Sequence, residues 1–143
     1  VQDLARPELR AGLGHPQNSA LGNLTDELLT QLGLHENVYR SDRRTPNVHS
    51  DPGHMPVNQL LTGALDVIVV YRSNVLASGE AAKRLQIVEF NLPEAVAIQP
   101  YAVAKDSQHK QLMGRLLEAI LAPASKERFE GAGFHWAAED KTP

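Results

Sequence analysis

From Leu9 to Gly33 the chain reads LRAGLGHPQNSALGNLTDELLTQLG, an apolar run, a turn-rich bend and a helical pattern. The chemistry open to such a junction is anion capture by backbone. The first four N–H groups of a helix have no partner within it and sit at the positive end of its dipole, so they hold an anion without a charged side chain. Asn18 or Ser19 caps this helix; the alternative is a later start capped by Asn23, which leaves Ser19 in a loop. Against the anion reading stands the ordinary one, in which a strand-to-helix junction holds only water or a capping hydroxyl. Tyr71 closes the apolar run ALDVIVVY, and a phenol there either donates to an oxyanion or packs with its hydroxyl in water. His49, Asp51 and His54 have the types and spacing of divalent-metal ligands, but a proline-rich exposed loop collects the same residues, and no metal is assigned to them. His15, beside Pro16, is either a pH-dependent extra donor or a turn residue facing solvent. The chain has no Gly-x-Ser-x-Gly elbow, no Gly-x-Gly-x-x-Gly and no Walker loop, so no catalytic residue is assigned and an enzyme is disfavoured.

The elements that must position these groups follow from periodicity. Leu9 to Leu13 forms a short buried strand, which Gly14-His15-Pro16 breaks. Leu21, Leu24, Leu28, Leu29 and Leu32 then fall on one helical face. Leu34 to Arg44 reads as a solvated connection, and the prolines of Thr45 to Pro56 keep it largely irregular. Met55 to Thr62 is a short helix with Val57, Leu60 and Leu61 inward, stopped by Gly63. Ala64 to Tyr71 is expected as a central strand, because it is β-branched and apolar on both faces. Ser73 to Lys83 is a partly helical crossover, followed by strands at Leu85 to Phe90 and at Val96 to Val103, the latter bent by Pro100. The last third is helical: Leu112, Met113, Leu116, Leu117, Ile120 and Leu121 make an apolar stripe, Pro123 restarts the helix, and Gly131 and Gly133 end it before Phe134 and Trp136. Alternating strands and helices predict an α/β fold with a mainly parallel sheet flanked by helices.

Composition narrows the function classes. With 14 Lys and Arg against 17 Asp and Glu, and no basic block, phosphate neutralisation has no footing and no nucleic-acid partner is expected. Zero cysteines exclude a disulfide scaffold, a thiolate zinc site and a cysteine nucleophile. No apolar run approaches the roughly 20 residues of a membrane span. The start at Val1 without a signal peptide reads as either a cytosolic protein or a processed or trimmed piece of an exported one.

Three segments, in order, resemble the periplasmic molybdate-binding proteins of ABC transporters, within the class of type II solute-binding proteins: LRAGLGHPQNSALG, LLTGALDVIVVYRSNV and LEAILAPASKERFEGAGF. The resemblance covers nearly all 143 residues, but only about the second half of a typical member. It implies a periplasmic-binding-protein-like lobe in which an oxyanion is held by backbone N–H groups and hydroxyls without counter-charges. By position it implies ligand contacts at Ala20 and Leu21, with Ser19 at the same loop, at Gly53, and at the hydroxyl of Tyr71. The chain departs from the family at His15, where an acidic residue is common, and at Asn47 to His54, which is richer in proline and histidine.

The domain organisation so implied is a second ligand-binding lobe over residues 1–95, with residues 96–143 as a crossover strand and C-terminal helices belonging to the first lobe. The expected ligand is a tetrahedral oxyanion, molybdate or tungstate first, with an ABC-transporter permease as partner of the full-length protein and a periplasmic or extracellular location. No cofactor is called for. Two other functions stay open: the effector-sensing domain of a bacterial transcription regulator with the same fold, and a divalent-metal-binding protein using the His49, Asp51 and His54 loop. Self-association through Leu112, Leu116 and Ile120 is expected where the stripe is uncovered.

Overall fold

A computed structural model describes residues 1–39, 48–50 and 55–137. Its contacts divide the chain into Val1–Ala97 and Ile98–Pro143. The first unit is built on a parallel sheet of three strands in the order β2-β1-β3, where β1 is Ala11–Gly14, β2 is Val48–Ser50 and β3 is Val67–Ile68. Gly12 pairs with Val48 on one side and Ile68 on the other, and every residue of β1 is buried. The fold is α/β, as periodicity predicts, but the central strand is β1 and not the Val/Ile-rich run.

Of Ala64 to Tyr71 only Val67–Ile68 is paired, at the sheet edge, and both residues are half-buried. β-branched composition reports fit to a pleated surface and leaves the number of neighbours undecided. Glycine decides the centre here. A Cβ on Gly12 would lie 2.6 Å from Leu65 Cδ1 and 3.1 Å from Ile68 Cγ2, so its absence lets Leu65 close over β1. Leu85 to Phe90 and Val96 to Val103, expected as strands, are unpaired among the described residues, with Val88 69% and Ile98 83% exposed. A strand exists only with a ladder partner, and these segments find none there.

Helix α1, Ala20–Gln31, packs on β1 and buries Leu21, Thr25, Leu28 and Leu29. Leu29, fully buried, joins Leu4, Ala11, Leu13 and Val38 in the main core, where each large side chain stabilises by roughly 1.5–3 kcal/mol. Thr25, unexpected on this face, is tolerated because its hydroxyl donates to the Leu21 carbonyl at 2.7 Å. Leu32 is exposed instead, beyond the end of the helix.

The expected solvated connection after α1 contains a further helix, α2, His35–Tyr39, which buries Val38 completely. His35 Nε2 lies 3.1 Å from Asp26 Oδ1 of α1, and its ring stacks at 4.8 Å on Tyr39, whose phenol is pushed up to about 12 by burial and then by the charge of Asp26. Short polar helices of this kind carry no periodicity for a sequence reading to find. Helix α3, Met55–Leu61, buries Val57 as expected, and Gly63 at φ +75° ends that turn. Helix α4, Arg72–Leu76, and a 3-10 segment, Gly79–Arg84, form the partly helical crossover.

In the second unit, α5 spans Lys110–Leu121 and α6 spans Pro123–Gly131, with Pro123 at the first helical position. Neither helix buries a residue. The Tyr101 hydroxyl donates to the Met113 carbonyl at 2.7 Å, and Phe129 stacks edge-on to Phe134 at 5.6 Å and lies 5.7 Å from Trp136.

Candidate functional site

Because all three strands run parallel, their C-terminal ends open on one edge of the sheet, the edge at which α/β folds bind ligands. Gly14 ends β1 beside Ser50, which ends β2. Three residues beyond the end of β3 comes Tyr71, half-buried, the last residue before α4.

The turn after β1 winds on the carbonyl of His15. It accepts from Asn18 N at 3.2 Å, Ser19 N at 3.1 Å and Ser19 Oγ at 3.3 Å, while His15 Nδ1 accepts from Gln17 N. Ser19 is the N-cap, extended at φ −137° and ψ 142°, and its Oγ accepts from Gly22 N at 2.9 Å. Its carbonyl accepts from Asn23 N. Of the four leading N–H groups, Ser19 to Gly22, that of Ser19 is satisfied by the His15 carbonyl and that of Gly22 by Ser19 Oγ, the Asn23 bond being the first within the helix, while those of Ala20 and Leu21 have no partner among the described residues. Asn23 is not the cap, and the helix does not start late.

Two glycines bring the helix start onto the strand end. A Cβ on Gly14 would lie 2.8 Å from Gly22 N and 2.8 Å from Ser19 Oγ, and one on Gly22 would overlap the His15 carbonyl. Gly14 and Gly22 are the positioning residues: Gly14, expected only to break the strand, is the last residue of β1, and Gly22 is assigned no role by periodicity. Their signal was present as a glycine on each side of a proline turn.

The electrostatics of this unit are local. Arg10 meets Asp66 through Nε to Oδ2 at 2.9 Å and Nη2 to Oδ1 at 2.7 Å, and the Arg10 N–H donates to the same carboxylate at 2.9 Å. Hydrogen bonding from the Arg10 side chain, then from its backbone, brings the Asp66 carboxyl down to about 2. This clamp joins the starts of β1 and β3, at the edge opposite the loop. Separated by 56 positions, the pair leaves no sequence signal. Arg72, next to Tyr71, is paired with Glu89.

The structure therefore brings Ser19, Ala20 and Leu21 to the edge at which Tyr71 follows β3. Gly53 lies outside the described residues, as do the Asp51 and His54 positions of the metal trio; of that trio only the His49 backbone is described, paired with Leu13 in β2. Among the described residues no group of three or more His, Asp or Glu is placed to hold a metal ion. A cavity of about 310 Å³ in this unit is lined by Val1, Gln2, Asp3, Leu32, Leu34 and Leu92 and takes in none of the expected site residues.

Residues 1–135 match the family of bacterial extracellular solute-binding proteins. The chain belongs to that family. No curated protein and no solved structure matches it. For an extracellular solute-binding protein the work is capture, typically without catalysis, at a periplasmic or extracellular location and, in general terms, with a transporter as partner. No helix among the described residues is long and apolar enough to cross a membrane.

Proposed function

We propose that this solute-binding protein captures a tetrahedral oxyanion, molybdate or tungstate first, and delivers it to the permease of an ABC transporter. The observation that carries the reading is the pair of unpartnered N–H groups on Ala20 and Leu21, at the positive end of a helix whose other leading donors are already used. Neutral donors suit a site that must release its anion, since no counter-ion has to be separated from it. Ser19, with its hydroxyl engaged by Gly22 N and the His15 carbonyl, orients the donors, while Ala20 and Leu21 make the contacts. The Tyr71 phenol and a backbone N–H at Gly53 add donors from the neighbouring strand ends. In this reading residues 1–95 form one lobe of a two-lobed receptor, and residues 96–143 return to the other. Sulfate and molybdate carry the same charge and differ in radius, so selectivity comes from cavity size and donor count.

Calorimetric titration of the full-length protein with molybdate, tungstate, sulfate and phosphate tests the proposal. Tyr71→Phe is expected to weaken binding by roughly 1–3 kcal/mol, the cost of a hydrogen bond to a charged group. Leu21→Pro, which deletes one N–H, is expected to cost more than Ser19→Ala, which loosens only the cap. Binding that survives Leu21→Pro and disappears in Ser19→Ala overturns the backbone mechanism, and equal affinity in Tyr71→Phe removes the phenol from the site.

A further inference from the structure

The approach of α1 to the end of β1 is fixed at one contact. A Cβ on Gly22 would lie 2.2 Å from the His15 carbonyl oxygen, 2.4 Å from the His15 carbonyl carbon and 2.7 Å from the Gly14 carbonyl carbon. All three are main-chain atoms, so no rotamer change relieves the overlap. The first distance falls about 0.8 Å short of the 3.0 Å that a side-chain carbon needs, and a methyl group here drives the helix start off the strand by about that much. Gly14 makes the same contact from the strand side, where its Cβ would lie 2.8 Å from Gly22 N, a shortfall of about 0.2 Å. Gly12, two residues earlier in β1, differs in kind. Its Cβ would meet side chains, Leu65 Cδ1 at 2.6 Å and Ile68 Cγ2 at 3.1 Å, which can turn aside without moving the helix.

We infer that Gly22, with Gly14 against it, gauges the radius of the anion that the site admits, an inference that rests on the oxyanion reading above. The Ala20 and Leu21 N–H groups belong to the first turn of α1 and travel with the helix start, whereas Tyr71 follows β3 and stays with the sheet. Two bare glycines hold those donors as near the strand ends as main chain can come, and a methyl group at Gly22 sets them back. Groups that hold a ligand have to stand within about 0.5 Å of their working positions, which the retreat at Gly22 exceeds and that at Gly14 does not. Gly22 therefore dominates. Room gained this way costs a small anion more than a large one, because the small one no longer reaches donors on both sides. Anions of equal charge differ little in their Coulomb attraction to the helix start, so radius is what the spacing reads.

Calorimetric titration of the full-length protein with sulfate and molybdate tests this, with thermal melts recorded on the same samples. Gly22→Ala is expected to weaken sulfate binding more than molybdate binding and to raise the molybdate-to-sulfate affinity ratio roughly tenfold, the discrimination that a change of about one methylene in a pocket decides. Gly14→Ala should raise the ratio less, and it carries the test where Gly22→Ala does not fold. Gly12→Ala should lower the melting temperature and leave the ratio where it is. A protein that binds both anions with a ratio unmoved or lowered by Gly22→Ala and Gly14→Ala overturns the gauge and leaves the oxyanion reading standing. An equal shift from Gly12→Ala also overturns it, because the ratio would then report lost stability alone. A protein that binds neither anion removes the reading and the gauge together.

Discussion

Helices α1 and α5 are both 12 residues long and both carry leucines at three-to-four spacing, yet α1 buries Leu21, Leu28 and Leu29 while α5 buries nothing. The difference lies in what each helix finds beside it. Helix α1 lies on β1, whose end at Gly14 has no side chain and admits the helix start at Gly22 to near contact. Helix α5 has α6 and the Tyr101 hydroxyl as neighbours within its own unit, and both leave its outer ridge in water. An amphipathic pattern states that a face needs covering; the cover has to come from elsewhere in the chain or from another molecule.

The sharpest way to break the comparison is to cut the same side chain from both helices. Leu29→Ala should lower unfolding stability by about 2–5 kcal/mol in urea denaturation, since it opens a cavity in the core around Leu13 and Val38. Leu116→Ala, measured at a concentration where the chain is monomeric, should change stability by no more than about 0.5 kcal/mol. Equal losses would mean that α5 is covered in solution and the contrast is false.

A smaller effect is expected at the junction. Gly22→Ala places a methyl group against the His15 carbonyl and should cost about 1–3 kcal/mol as the helix start is pushed off the strand. On α5, Gly114→Ala meets nothing within 4 Å and should stabilise the helix by up to about 1 kcal/mol. Thermal melts of the two variants moving in opposite directions would sharpen the comparison; a shared direction would sink it.

The smallest effect is pH-dependent and belongs to the first unit. With its carboxyl lowered from 3.8 to about 2 by Arg10, Asp66 contributes stability that is fully present above about pH 4 and lost as pH falls towards 2. The pair is solvent-exposed, so the change is modest. Asp66→Asn should flatten this part of the acid dependence, and an unaltered profile between pH 4 and 2 would show that the clamp does not hold β1 to β3.

Local rules determined a good deal of this protein. The Ser19 cap, the start of α1, the short α3 with its Gly63 stop and the Pro123 restart were all legible, because each depends on residues within one or two turns of one another. The α/β class was legible too, from the alternation of periods. Only the tertiary structure decided which strand is central, since two bare glycines outrank a run of valines when neighbouring layers must close over the sheet. It alone brought Arg10 to Asp66 across 56 positions, folded His35–Tyr39 into a helix, and left Leu85 to Phe90 without a ladder among the described residues. The candidate site divides along the same line. That Ala20 and Leu21 lead a helix, with N–H groups that find no partner among the described residues, is a matter of sequence, but that the helix starts at the edge where Tyr71 follows β3 depends on parallel strands ending together, which residues distant along the chain settle by packing.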